Sequence, residues 1–496
     1  MDKIIFIVNS NAIHLYLWEC IKQIHDVFDN IQITVFIDNQ LEKPNNYTFN
    51  PFISFIDAKF TNLKTNPLSL IDLKKESQSI SGLRLVNHSN ELSLSDWVII
   101  DNNYKNCHTF NKYSKNGLLR LALNKKEVLS VIFSGSKISL NISALAMKSN
   151  SWHNVFTVQL KTEIGFKNNV HKLLHNYAVY LVKFLKNSTT NESITTPHPQ
   201  NNNKANKKRG ALQIKAIFYY FKLGFKILHR KIKKEQLNWK IGVKTANGLL
   251  FLKQPKNSFW ADPFIIKESN GNLLIYFEEL KKDGLGKIAS VALNPQLEII
   301  NKHDILDTNY HVSFPNVFLK DGSYYMIPES SQNNTLQLYK CTQFPFKWEF
   351  QMNLMENIKL LDAVWIYHDN LYWIFANKIE NFEHDNNEKL YLYYSNDLFS
   401  KNWQPHIKNP IVTNASLARN GGNFYHENGK LYRVSQNCLD GYGQNVVINE
   451  VKVLNRNNYA EEKVDAVFPV KGYVGCHTLN NHENVSVLDF LQKEKI

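Results

Sequence analysis

Along the first 186 residues, short wholly apolar runs alternate with longer stretches of helical spacing. Lys3-Ile4-Ile5-Phe6-Ile7-Val8 is one such run, of the kind expected where a strand is covered on both faces. Residues 12–28 carry a helical pattern, residues 31–37 form a second apolar run, and Asp96–Asp101 is a later run with polar tips. Strand, helix, strand in close succession predicts a Rossmann-like α/β domain around a parallel sheet. The first turn, Asn9-Ser10-Asn11, has no GxGxxG pattern, so the glycine fingerprint of a dinucleotide site is missing.

Residues 187–210 are polar and of low complexity, and read as a linker. In 211–236 the apolar side chains Ile214, Ile217, Phe218, Phe221, Phe225, Leu228 and Ile232 recur at i, i+3, i+4. Lys215, Lys222, Lys226, Arg230 and Lys233 fall on the other side, so the pattern predicts a basic amphipathic helix. Such a helix suits either an anionic membrane surface or docking on a neighbouring domain.

From residue 237 to 496 helical spacing gives way to strand-like runs punctuated by turns. One unit recurs: a strand, a turn of Asn, Asp or Gly, and an aromatic-rich strand. It is found at Ala261–Glu279, Phe314–Ser330, Asp362–Ala376 and Gly422–Gln436, and more faintly at Cys476–Phe490. Turns roughly 50–60 residues apart match one four-stranded propeller blade. Five copies predict a five-bladed β-propeller, with residues 239–253 supplying outer strand to close the ring. The fold class is therefore multidomain, α/β followed by all-β.

Composition and charge narrow the picture. The formal net charge is +14, and residues 203–234 hold eleven Lys and Arg with no acid. The basic balance is thus concentrated in one segment. No helix-turn-helix, zinc finger or RNP pattern accompanies it, which argues against nucleic acid. The five cysteines are scattered without a CxxC pair, which suits a reducing compartment and offers no zinc site. The apolar run after Met1 is too short for a signal-peptide core, and no segment reaches the roughly 20 apolar residues of a membrane span. The expectation is a cytoplasmic protein with peripheral contact to the inner membrane face through 211–236, without metal or cofactor.

The inner strand of each propeller blade lines the central channel, and each repeat here opens on a polar residue. Asp262 opens the first, His311 and Asn316 the second, Asp362 the third, Arg419 and Asn420 the fourth, and His477 the fifth. Strand-opening Asp also serves as a turn former, but five such positions in register point to a common site at one mouth of the channel. Glu278, Glu279 and Glu329 lie one strand further along. Paired carboxylates are what sugar chemistry needs, one as base or nucleophile and the other as acid. Trp260 and Tyr442 offer faces for stacking on a sugar ring. Gln436 sits in a dense polar cluster that could bind hydroxyls. Cys438, with no local partner, is a poor nucleophile.

The strings FWADPF with IYFEE, HVSFPNVF with GSYYMIPESS, DAVWIYHDNLYWIFA, QNCLDGYGQ and GCHTLN together resemble one family. It is the N-terminal domain of plant glucosamine inositolphosphorylceramide transferases, with bacterial relatives in surface-polysaccharide loci. That fold is similar to five-bladed glycosidases in which an Asp opening blade one is base or nucleophile. The resemblance therefore implies a catalytic role for Asp262, with Glu329 or Asp362 as acid or tuning group. It implies that His311, Arg419, Gln436 and His477 hold substrate; Trp260, Glu279 and Tyr442 join them as candidate substrate contacts on their own chemistry. Where the family has Arg-Pro-Ala-Gly, this chain has Arg419-Asn420-Gly421-Gly422. The first 186 residues resemble a formyltransferase domain in strand order, without its His/Gly/Asp-rich segment; Gly117–Leu121 stands in that place.

Three functions remain open on this basis. A glycosyltransferase would take a sugar donor and a glycan or lipid-linked acceptor for cell-surface polysaccharide or glycolipid. The alternatives are a glycoside hydrolase of the furanosidase type and a non-catalytic glycan-binding module.

Overall fold

A computed structural model of the chain describes all residues except 29, 39–56, 58–68, 101–106, 122–137, 146–151, 161, 164, 190–217, 226–234, 256–258, 269, 282, 380–386, 440 and 496. The chain divides into two compact units, Met1–Lys226 and Ile227–Ile496. The linker read at 187–210 lies outside the described residues apart from its first three, which end a helix.

The first unit is built on a seven-stranded sheet. In spatial order its strands are Arg84–Val86, Gln32–Ile37, Lys3–Val8, Trp97–Ile100, Leu118–Leu121, Ile138–Leu145 and Trp152–Leu160. The first five are parallel and the last two antiparallel. The all-apolar Ile4–Val8 is buried on both faces, as expected of a central parallel strand. The region read as one helix from residue 12 opens as a short strand, Ala12–His14, and turns helical over Leu15–Val27. The long helix Phe166–Thr189 buries Val170, Leu173, Leu174, Tyr177 and Leu181 against the sheet. Its first turn is capped by buried Asp57, which accepts from the backbone N–H of Phe166 and Lys167 at 2.7 and 3.0 Å. Gly165 allows that approach: a Cβ there would stand 2.7 Å from the Asp57 carboxylate.

Only 218–225 of the basic helix is described, and it is helical. Buried Tyr220 donates its hydroxyl to Asp57, fixing the helix to the first unit. Phe218, Phe221 and Phe225 remain 70, 75 and 64 % exposed. The predicted helix runs on to residue 236, but the backbone is already a strand at Glu235. Trp239, Ile241 and Val243 alternate to one buried face there, a period of two that propeller pairing selects.

The second unit is the five-bladed β-propeller. Blades one to three begin with the strands Trp260–Lys267, Ser313–Lys320 and Leu360–His368, and blade four with Arg419–Asn420. Blade five combines residues from both ends of the unit. Glu235–Thr245 pairs antiparallel along ten residues of Val485–Lys495 and carries Gly248–Phe251 outside it. This closes the ring and removes free inner edges. Among helices of the described residues, none is long and apolar enough to cross a membrane.

The inner strands of blades one, two and three share a bulge just inside their first residues. At each, a non-glycine residue adopts left-handed backbone: Asp262 at φ 54°, Phe314 at 46° and Asp362 at 47°. Such positions carry backbone strain of order 1–3 kcal/mol and persist only where surrounding structure imposes them. They re-aim the side chain at the channel mouth.

Candidate active site

The blade-opening residues meet in two charged groups at one mouth of the channel. In the first, Asp262 Oδ1 lies 3.1 Å from His477 Nε2 and accepts a 2.9 Å hydrogen bond from the Thr478 hydroxyl. Behind them sits Asp489, fully buried. It accepts from the backbone N–H of Asp262, His477 and Thr478 at 2.9, 3.0 and 2.9 Å. Its Oδ1 also lies 2.8 Å from His477 Nδ1, off the axis of a hydrogen bond, so that contact is ionic. Asp489 thereby holds the Asp262 backbone in its left-handed bend.

His477 stands between two carboxylates. Burial opposes its charge, but Asp489 and Asp262 hold its pKa well above the ordinary value. Burial likewise opposes ionisation of Asp262, yet its pKa is lowered by His477, Thr478 and the Arg419 charge. Donor atoms of Asp262, His477 and Asp489 lie within 4.8 Å of one another, a spacing that could hold a small cation. An imidazolium already fills that electrostatic role, so the set fits a proton between carboxylates.

The second group is centred on Asp362. Arg419 grips it through Nε at 2.6 Å and Nη2 at 3.1 Å, a bidentate pair with both partners buried. Arg419 Nη2 also lies 3.8 Å from Glu329 Oε2. Glu329 is buried against Asp362, and desolvation followed by the Asp362 charge pushes its pKa up to about 8. Glu278 is raised well above its ordinary value by burial, then by the charges of Asp262 and Glu329. Its Oε1 lies 3.4 Å from His311 Nε2. His311 Nδ1 accepts from the Gly286 N–H at 2.9 Å, which leaves the proton on the nitrogen that faces Glu278. Burial lowers the His311 pKa, so this imidazole is neutral near pH 7.

Tyr442 ties the two groups together. Its ring lies 5.7 Å from the Arg419 guanidinium and 5.2 Å from the His477 ring, while 44 % of the residue stays exposed. Trp239 also packs on His477, its ring at 4.0 Å. Beyond them opens a cavity of about 480 Å³ walled by Leu237, Trp239, Phe259, Tyr442, Val474 and Leu491. Gly441 and the amide of Gln444 complete the lining, so the wall is mainly apolar with one polar side chain and the Tyr442 hydroxyl.

The structure thus brings Asp262, Glu329, Asp362, His311, Arg419, Tyr442 and His477 into one cluster. Three other expected site residues do not face the mouth as ligand contacts: Glu279 and Trp260 lie outside the cluster, and Gln436 lies buried behind Asp362. Glu279 does not face the cluster: adjacent strand residues point to opposite faces, and its carboxylate pairs with Lys287 at 3.2 Å and Lys302 at 2.7 Å. Glu278 takes the inward place. Trp260 is 1 % exposed, packs on Phe277 and donates its indole N–H to Glu279 at 3.0 Å, so it is core rather than a stacking platform. Gln436 is fully buried and donates to Asp362 Oδ2 at 3.2 Å and the Asn420 carbonyl at 2.7 Å. Its amide steadies Asp362 and has no donor left for a hydroxyl.

Sequence reasoning passed over Asp489 and Thr478, and read Asn420 only as a blade-opening residue. Asn420 donates to the Asp362 carbonyl at 2.8 Å and so fixes that strained backbone. Asp489 had a visible signal, an acid inside the apolar run Val487-Leu488-Asp489-Phe490-Leu491. The glycines of Arg419-Asn420-Gly421-Gly422 have a steric cause. A Cβ on Gly421 would stand 2.7 Å from the His477 carbonyl oxygen, and one on Gly422 2.0 Å from that of Leu479. Blades four and five touch backbone to backbone at this point.

A family model described as "Glucosamine inositolphosphorylceramide transferase 1, N-terminal" matches residues 238–486, which include Asp262, Glu278, His311, Glu329, Asp362, Arg419, Tyr442 and His477 but stop short of Asp489. The chain belongs to this family. Glucosamine inositolphosphorylceramide transferase 1 of Arabidopsis thaliana is 32 % identical over 215 residues, 42 % of this chain and 27 % of the plant protein. The protein of that name from Oryza sativa subsp. japonica is 32 % identical over 216 residues, 42 % of this chain and 28 % of its own length. The chain therefore spans only about a quarter of these relatives. Among solved structures, a family 117 glycoside hydrolase of Zobellia galactanivorans is 11 % identical with a TM-score of 0.35, covering 52 % of this chain and 90 % of its own. A family 62 α-L-arabinofuranosidase domain of Coprinopsis cinerea is 12 % identical with a TM-score of 0.35, covering 47 % and 90 %.

Proposed function

We propose that the propeller is a glycosyltransferase that places a sugar on a lipid-linked acceptor in cell-surface glycan or glycolipid synthesis. The observation that carries this reading is the split among its buried carboxylates. Asp262 is held ionised, while Glu278 and Glu329 are held protonated toward neutral pH. Environments that push neighbouring acids apart in this way assign a base and an acid. In this reading Asp262 takes the proton of the acceptor hydroxyl or attacks the anomeric carbon. Glu278 or Glu329 gives a proton to the departing oxygen. His477 and Asp489 keep Asp262 charged and aimed, and Arg419 with Tyr442 orients the sugar at the mouth.

The apolar cavity beside His477 supports an acceptor that carries a hydrocarbon portion next to its sugar. The family membership supports transfer over hydrolysis. The exposed Phe218, Phe221 and Phe225, set in a basic stretch, support contact with the cytoplasmic face of an anionic membrane.

The same acid and base would serve a glycoside hydrolase, since both reactions need them. The two are separated by incubating the full chain with radiolabelled nucleotide sugars and a lipid extract, and in parallel with nitrophenyl glycosides. Label entering the lipid fraction with wild type but not with Asp262→Asn is the expected result. Release of nitrophenol without lipid labelling would establish the hydrolase.

A further inference from the structure

The end of the propeller opposite the acid cluster holds a second groove. Two adjoining cavities, about 450 and 610 Å³, share Asn396 and Arg456 as lining residues. They run along the seam between blades three and four, where the turns after His368, Ser395 and Leu454 come together. Each is within the size range of small-ligand sites.

The groove is furnished with amides that the fold does not use. Among the described residues, the side chains of Asn396, Asn402, Gln404 and Asn457 have no hydrogen-bonding partner in the protein. None of the three asparagines is at a positive φ, so the turns do not demand an amide for backbone reasons. By contrast Asn370, also in this groove, sits at φ 58° and is a turn residue first. Arg456 pairs with no carboxylate among the described residues; its guanidinium lies over the Tyr394 ring at 5.4 Å. Two acids, Asp369 and Asp397, line the same space, so no single sign of charge dominates.

Unspent amide donors and acceptors, one guanidinium and a half-buried tyrosine suit a ligand of many hydroxyls and no net charge. We infer that this groove is a second carbohydrate-binding site, one that holds a neutral oligosaccharide at a distance from the acid cluster. It would retain a glycan chain while the mouth acts. The inference is independent of which reaction the mouth performs.

The test uses the full chain with cellohexaose, xylohexaose and mannohexaose, read by saturation-transfer NMR and titration calorimetry, with hexagalacturonate as the acidic counterpart. At least one neutral hexasaccharide is expected to bind wild type. Arg456→Ala combined with Asn396→Ala should weaken it tenfold or more. Asp262→Asn should leave it unchanged. Asn396 and Arg456 are exposed, and surface changes of this kind rarely disturb folding; an unchanged circular dichroism spectrum checks this, and Asn396→Ser should recover part of the binding. No neutral hexasaccharide bound at millimolar concentration would overturn the proposal. So would binding that is lost in Asp262→Asn but kept in the double variant, which would place the sugar at the mouth, or tighter binding of hexagalacturonate.

Discussion

Blades one and three open on the same bend as blade two, yet only the first and third place a carboxylate there. Asp262, Phe314 and Asp362 occupy equivalent bulges with φ of 54°, 46° and 47°. Phe314 is fully buried and packs edge-on against Phe264 at 4.9 Å. The bend is thus a property of the propeller, reproduced whether the residue is charged or aromatic. What differs is the surroundings. Asp262 has His477, Thr478 and Asp489; Asp362 has Arg419, Asn420 and Gln436. Function here lies in the partners that a common backbone device receives, not in the device.

That contrast can be broken from either side. The largest effect is expected for Asp262→Asn, which keeps the shape but removes the charge that the proposed reaction uses. Sugar transfer should fall by roughly a thousandfold or more, with the melting temperature changed by only a few degrees. A variant that transfers sugar at the wild-type rate would strip Asp262 of its role. Asp362→Ala strikes a different property. It leaves the Arg419 guanidinium buried without its main partner, and should cost about 3–5 kcal/mol in urea denaturation. Phe314→Ala should cost a similar amount, about 3–5 kcal/mol, through the cavity it opens. Activity per folded molecule should survive Phe314→Ala, since blade two's bend bears no charge.

The pH dependence sharpens the comparison more gently. Glu329 rises from 4.5 to about 8 on folding. Between those values the folded state binds more protons than the unfolded chain, so stability falls as pH rises from about 4.5 to 8. His477, raised from 6.5, adds in the same direction above pH 6.5. Glu278, raised for like reasons, adds in the same direction above pH 4.5. Glu329→Gln should flatten the decline in melting temperature across that window; an unaltered slope would assign the decline to Glu278 and, above pH 6.5, to His477. The smallest effect belongs to Glu279→Gln, which removes an ionic contact outside the cluster. It should cost less than about 1 kcal/mol and leave transfer unchanged.

The propeller was legible because its signals are local and repeated. A strand, a turn and an aromatic strand recur often enough to count blades, and polar blade-opening residues announced the mouth. The finer errors share one physical origin. Glu278 and Glu279 differ only in which face of a strand they occupy, and composition does not record that register. Paired against Ala261, Glu278 lies on the face of Leu274 and Tyr276, and that alternation was the available clue. Trp260 and Gln436 were taken for ligand contacts because their chemistry suits sugars. Their burial is set by neighbours far along the chain. Residues 211–236 show the opposite failure: helical spacing ran past the point where a strand partner more than 250 residues away takes Glu235 into the sheet.

The hydrogen bond from Asp262 to Asp489 spans 227 residues of sequence. It joins the first blade to the last at the seam where the ring closes. A chain emerging in order therefore carries Asp262 for most of its synthesis as an ordinary aspartate, free to protonate and unaimed. Only when the final blade docks do the imidazolium and the buried carboxylate arrive. Long-range closure of this kind is slow compared with forming a single blade. The charged cluster is thus completed last and all at once, so that an incompletely closed propeller lacks the paired, aimed state of Asp262.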